Sequence, residues 1–260
     1  MNAKTNVLNT DLTGKVAVVT GAGGVLCSDM AKTLARAGAK AYQCNVLVEN
    51  DCKVAARQVL EDFGPCDILV NGAGGNSAKA NTDKEFYEPG DIGDSTLQTF
   101  FTISPENVSS VLELNFLGTL LPTQAFARQM LGRPGCSIVN ISSMNAFTPL
   151  TKIPAYSGAK AAVSNLTQWL AVHFSKEGIR VNAIAPGFFV SEQNEKLLFN
   201  DDGTPTARTQ KILAGTPAGR MGRPEELEGA LLFLVNNEAA GFINGIILPV
   251  DGGFQAYSGV

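Results

Sequence analysis

Tyr156 and Lys160 stand four residues apart in the run Ala155-Tyr156-Ser157-Gly158-Ala159-Lys160. On a helix that spacing puts a phenol and an amine on one face, one turn apart. An ammonium beside a phenol stabilises the phenolate. Tyr156 is therefore expected to titrate below the ordinary tyrosine value of about 10 and to act as an acid/base near neutrality. Ser143 lies thirteen residues earlier, just after the apolar run Ser137-Ile138-Val139-Asn140-Ile141, which reads as a buried strand. A strand end, a loop and a helix in that order can return the serine hydroxyl to the phenol. Alone, a Tyr-x-x-x-Lys pair is as readily an exposed tyrosine beside a solvated lysine, so the surrounding elements must decide.

Those elements alternate between strand-like and helix-like stretches. Residues 15–20 (KVAVVT) form a β-branched run that predicts a buried strand, followed by Gly21-Ala22-Gly23-Gly24 and a helical pattern over 25–37. Strand, glycine turn and helix in that order can hold a phosphate, because the backbone approaches closely and the helix N-terminus attracts an anion. Further glycines common in such turns are replaced here by Val25 and Cys27. Residues 41–46 read as a strand, 51–63 as an amphipathic helix, and 66–71 (CDILVN) as a strand running into Gly72-Ala73-Gly74-Gly75. Residues 76–104 predict a polar loop with short helical pieces, and 105–130 a long helix bent at Gly118 or Pro122. Residues 181–185 predict a strand leading into Pro186-Gly187. Residues 188–220 lack periodicity, as a substrate cover would, and 224–235 and 245–250 predict a last helix and strand. The pattern is that of one α/β domain over residues 1–260, of Rossmann type: a doubly wound, mostly parallel sheet with helices on both faces and a surface arm over 1–13.

Composition narrows the function. Of 260 residues, 45% are hydrophobic and 17% charged, enough for a sizeable core. A net charge of −4 argues against nucleic-acid binding. No apolar run reaches the roughly 20 residues of a membrane helix, and the polar N-terminal stretch has no signal-peptide core, so a cytoplasmic protein is expected. Five cysteines without a Cys-x-x-Cys pair read as buried free thiols rather than a metal site. His173, the only histidine, falls inside a helical stretch and reads as packing or surface, which disfavours a histidine base.

With Gly21 to Gly24, Asn71-Gly72-Ala73-Gly74, Asn115, Ser143, Tyr156, Lys160 and Pro186-Gly187 in this order, the chain resembles the short-chain dehydrogenase/reductase family from about residue 14 to its end. The resemblance implies a nicotinamide cofactor, NAD before NADP, and a catalytic set of Asn115, Ser143, Tyr156 and Lys160. Tyr156 would pass a proton to or from the substrate oxygen, and Ser143 would hydrogen-bond that oxygen. Lys160 would lower the tyrosine pKa and hold the nicotinamide ribose, and Asn115 would anchor a water linking Lys160 to solvent. Cofactor contacts would come from Gly21, Gly23, Gly24, Val25, Leu26, Asn45, Val46, Asn71, Gly72, Ala73, Gly74, Pro186 and Gly187. The segments LNFLGTLLPTQAFA, NISSMNAFTPLTKIPAYSGAKAAVSNLTQWLAVH and NAIAPGFFVSEQN are most similar to family members that act as D-mannonate oxidoreductases. That likeness implies a sugar-acid substrate, D-mannonate or D-fructuronate, with Asn145, Lys152, Gln193 and Asn194 as further substrate contacts. It also implies a homotetramer built on helices around 107–129 and 155–175, where Leu166, Trp169 and Leu170 could serve an interface or a core. Gluconate 5-dehydrogenase or 3-oxoacyl-carrier-protein reductase chemistry would use the same set. A binder of dinucleotide without turnover is the alternative of another class, and the retained four residues argue against it.

One departure stands out. Only 50 residues separate Gly21 from Asn71, where the family usually fits two further strands and three helices. One strand-helix unit, roughly 20–30 residues, is expected to be missing near 40–41, and with it a wall of the adenine pocket and the residue that separates NAD from NADP. Either two segments of a longer chain are joined there or the chain carries a deletion. Joining is the expectation, since losing an internal strand would expose apolar edges.

Overall fold

The structure is a computed structural model that describes residues 10–39, 45–190 and 198–259. Its sheet contains β1 (Ala17–Thr20), β2 (Ile68–Asn71), β3 (Ser137–Ile141), β4 (Arg180–Pro186) and β5 (Ile247–Val250), all parallel and adjacent in that order. Around it pack α1 (Val25–Arg36), α2 (Glu49–Phe63), α3 (Pro105–Leu112), α4 (Gly118–Phe126), α5 (Pro154–His173), α6 (Ala207–Ala214), α7 (Glu228–Val235) and α8 (Asn237–Ala240). Side chains alternate across the strands and feed a core on each face. Ala17, Val19, Ile68, Val70 and Val139 meet α1 and α7 through Met30, Leu34, Leu231 and Leu234. Val18, Leu69, Ile138 and Val181 meet α2, α4 and α5 through Val59, Phe126 and Leu170. The described residues thus form a single Rossmann-type α/β domain.

On the second face, four polar side chains replace apolar packing near the strand ends. Asn71 Nδ2 donates to Thr123 Oγ1 of α4 and to Asn140 Oδ1 of β3, each at 2.9 Å. Asn140 Nδ2 donates in turn to Thr167 Oγ1 of α5, also at 2.9 Å. Both threonine hydroxyls donate to their own helices, at Thr119 O and Val163 O. The chain Thr123–Asn71–Asn140–Thr167 therefore fixes two helices and two strands against one another inside the core, where an unpaired amide is costly.

Several expectations shift on inspection. The long helix over 105–130 departs from regularity at a π-turn, Glu113–Leu117, rather than at Gly118 or Pro122; Pro122 lies within α4. The cause is local: Asn115 Nδ2 donates to Val111 O, and Thr119 Oγ1 donates to Asn115 O, so side chains take part in the ladder. Within the region expected to be an aperiodic cover, α6 forms behind Thr206, whose hydroxyl accepts from Thr209 N. Residues 41–44 of the expected strand, and the junction near 40–41, lie outside the described residues; Asn45 and Val46 are not in a strand. No helix among the described residues is long and apolar enough to cross a membrane.

Replacing Asn140 with Ala removes the middle of the polar chain and leaves Asn71 one acceptor short. We expect a loss of about 1–3 kcal/mol in unfolding free energy, read from urea melts. An unchanged midpoint would remove the chain from the list of stabilising contacts.

Candidate functional site

The C-terminal ends of the strands open into a cavity of about 490 Å³ that brings together Gly21, Gly23, Gly24, Val25, Leu26, Gly72, Ala73, Gly74, Ser143, Tyr156, Lys160, Pro186 and Gly187. Ser143 follows β3 in extended conformation, and Tyr156 stands in the first turn of α5, after Pro154 at its start. Ser143 faces the Tyr156 hydroxyl and opposes the effect of burial on it. The neighbouring Ser142 is turned elsewhere, its Oγ lying 2.7 Å from Ser164 Oγ on α5. Asn145 follows in a short 3₁₀ turn, buried, with Oδ1 lacking a partner among the described residues.

Lys160 is buried, and its Nζ donates to Ile141 O at 2.8 Å. It lies 5.7 Å from the centre of the Tyr156 ring. Burial pushes its pKa down to about 8, with Cys27 opposing weakly. Tyr156 is corrected in direction. Its pKa is raised because burial disfavours the phenolate, and Ser143 only partly offsets this. The expectation assumed an ammonium against the phenol, whereas Lys160 engages a carbonyl instead.

Asn115, in the π-turn, clamps the far side. Its amide donates to Gly75 O at 2.7 Å and accepts from Gly75 N at 3.2 Å. A Cβ at Gly74 would meet Asn115 Oδ1 at 2.6 Å and Lys160 Nζ at 3.0 Å, so only glycine fits between them. Thr20 Oγ1 accepts from Gly72 N and Ala73 N, tying the second glycine segment to the end of β1.

The residues present fit a dinucleotide's pyrophosphate. Gly24 precedes α1 with no capping side chain, so the first-turn N–H groups face the cavity mouth without an internal acceptor. Gly21 has φ +72, and a Cβ there would collide with Gly72 and Ala73 backbone atoms at 2.7 Å. Three expected cofactor residues do not line the cavity. The Asn71 amide belongs to the core hydrogen-bond chain, Asn45 accepts from Leu47 N, and Val46 packs on Gly118. Cys27, Leu114, Ile141 and Ser142 line it without having been expected. Cys27 was marked only as a departure from glycine; its thiol lies against Gly72 O at 3.6 Å and is pushed up to about 11 by burial. Gln193 and Asn194 lie outside the described residues. Lys152 sits in a neighbouring cleft, with φ +71.

A larger groove of about 710 Å³ between α2 and α4 holds none of these residues. His173 is exposed and stacks on Trp169 at 4.5 Å. Leu170 is buried and Leu166 packs on the core, whereas Trp169 is exposed. Cys27, Cys66 and Cys136 are free, these three and Cys52 are buried, and no cluster among the described residues could hold a metal ion.

Comparison with known proteins agrees with this geometry. A family model described as enoyl-(acyl carrier protein) reductase matches residues 12–255. A Haemophilus influenzae structure described as a D-mannonate oxidoreductase with bound NAD is 54% identical, with a TM-score of 0.90, covering 98% of this chain and 100% of that one. The 2-dehydro-3-deoxy-D-gluconate 5-dehydrogenase of Dickeya dadantii is 33% identical over 276 positions, covering 96% of this chain and 99% of its own. Since 96% of 260 residues is about 250, about 26 of those positions have no residue from this chain. A gluconate 5-dehydrogenase structure from Burkholderia cenocepacia, in complex with NADP and tartrate, is 26% identical with a TM-score of 0.80, covering 97% and 100%.

Two measurements test the site's packing and charge. A Cβ at Gly72 would stand 2.1 Å from Cys27 Sγ. Gly72→Ala should cost about 1–3 kcal/mol, and adding Cys27→Gly should restore most of it; strictly additive effects in the double-mutant cycle would refute the contact. Lys160, at about 8 when folded against 10.5 unfolded, binds fewer protons folded between those values. Its contribution to stability therefore rises as pH rises from about 8 to 10.5. Denaturation across that window should show wild type gaining on Lys160→Met, and parallel curves would contradict the shift.

Proposed function

The chain belongs to the short-chain dehydrogenase/reductase family, and from that premise we propose that it interconverts D-mannonate and D-fructuronate. As a family member it is a nicotinamide-dependent oxidoreductase acting on a CH–OH group. The observation that carries the reading is the meeting of Ser143, Tyr156 and Lys160 in one cavity with the uncapped start of α1.

Bound NAD or NADP supplies or accepts the hydride. The protein's part is to hold and move a proton. Burial keeps Tyr156 protonated at neutral pH, so its phenol is ready to donate to a ketone oxygen. Ser143 donates to the same oxygen as charge develops there. Lys160 is near its titration point at about 8, and can take part in returning a proton to Tyr156. Asn115 stands across Gly74 from Lys160. Asn145, expected as a substrate contact, lines neither this cavity nor the neighbouring cleft.

The sugar acid is supported by the relatives, which are described as acting on mannonate and on gluconate derivatives. NAD is the first choice because the 54%-identical structure carries it; NADP in the more distant one keeps both in play. We place a missing strand-helix unit near 40–41, on the alignment length and the short spacing from Gly21 to Asn71. Exposed Trp169 and Val172 on α5 support assembly into a homotetramer, and the buried free thiols suit the cytoplasm. Gluconate 5-dehydrogenase activity is the second reading, favoured by the relatives described as acting at C5.

The deciding experiment follows absorbance at the nicotinamide band with D-fructuronate, using NADH and NADPH in parallel. Oxidation is expected, with Tyr156→Phe slowing it at least about 10²-fold while cofactor binding persists. Faster turnover of 5-keto-D-gluconate would transfer the assignment to the second reading. Inertness toward both would overturn the sugar-acid assignment.

A further inference from the structure

Next to the Ser143–Tyr156 cavity lies a second cleft, of about 410 Å³, whose charged residues are Glu85, Lys152, Arg208 and Lys211. The two are joined along the chain. Gly187 lines the first and Phe188 the second, while Ile153 of the second cleft caps the helix that carries Tyr156. Three cations thus face one carboxylate. Glu85 already pairs with Lys211 at 2.7 Å, and neither Lys152 nor Arg208 forms an ion pair with a described residue. Phe188 and Phe254, edge to face at 5.3 Å, wall the cleft beside these cations.

Lys152 is held there against its own preference. It is the only described non-glycine residue with positive φ, and its carbonyl accepts from Thr82 N at 2.8 Å. Glycine would adopt that conformation freely, so what a lysine adds at this position is its side chain.

We propose that Arg208 and Lys152 hold the carboxylate of the substrate in this second cleft, so that the carbon reacting at Tyr156 lies at the opposite end of the acid. Four carbon–carbon bonds span about 5 Å, and one helical turn, roughly the step from Ile153 to Tyr156, is also about 5 Å. A six-carbon acid reacting at C5 bridges the two clefts. A 2-keto acid, with its carboxylate bonded directly to the reacting carbon, does not. Arg208 and Lys152 are therefore specificity-determining residues that select remote hydroxy acids. This rests on the sugar-acid reading above and adds to it the residues that read the charge.

The test compares kcat/KM for D-fructuronate, for D-fructose, in which CH₂OH replaces the carboxylate, and for 2-keto-D-gluconate. Wild type should prefer D-fructuronate over both. Arg208→Met should raise the D-fructuronate KM roughly 10–100-fold, the loss expected of one charged contact, with a smaller effect on kcat. The acid-to-neutral ratio should fall in step, and Arg208→Lys should recover part of it. Lys152→Gly separates binding from folding, since it should keep or raise Tm by relieving the backbone while still raising the acid KM. An acid-to-neutral ratio unchanged in Arg208→Met, or equal turnover of 2-keto-D-gluconate, would overturn the inference. Reduction of ketones by wild type without preference for acids would sink this inference alone. Inertness toward all three ketones would sink the sugar-acid reading with it.

Discussion

The arrangement depends on keeping four polar side chains paired inside an apolar core. Thr123, Asn71, Asn140 and Thr167 hold α4 and α5 at fixed height against β2 and β3. The two helices in turn set the active residues. α5 carries Tyr156 and Lys160, and the segment leading into α4 carries Asn115. A hydrophobic contact would tolerate sliding by a fraction of a turn; an amide bonded at both ends does not. The same four residues therefore decide both the packing and the distance from Ser143, at the end of β3, to the phenol on α5.

Much of this was legible in the sequence because its signals were local. β-branched runs flanked by glycine mark β1 through β4 within two residues, and helical spacing marks α1, α2, α5 and α7. The ordered motif residues were also legible as a set, and most of them share one cavity. What escaped was relational. The π-turn needs Asn115, Val111 and Thr119 to trade hydrogen bonds, a pattern that apolar periodicity does not record. α6 begins at Thr206 after an aperiodic stretch, and only its cap signals it. Asn71 looked like a cofactor ligand from its place beside the glycines, but β-alternation turns it into the core with Leu69.

The tyrosine shows why spacing does not give electrostatics. Two groups four apart on a helix share a face, yet a shared face leaves each free to choose a partner. Lys160 finds Ile141 O, Tyr156 finds Ser143, and burial then acts on each separately. The result is a pair with opposed shifts, the phenol upward and the amine downward. Both changes favour the uncharged form, as a dry site demands.

The strand order carries a consequence for how the chain reaches this state. Because the described strands are adjacent in the order in which they are made, each finds its neighbour already formed when it emerges during synthesis. Among the described strands, no later one must wedge between two earlier ones. The closures range from 43 residues, between Ser137 and Arg180, to 69, between Ile68 and Ser137, modest spans whose entropic costs differ little. Assembly can thus advance from the N-terminus as a zipper, with Asn140 locking each side as β3 arrives.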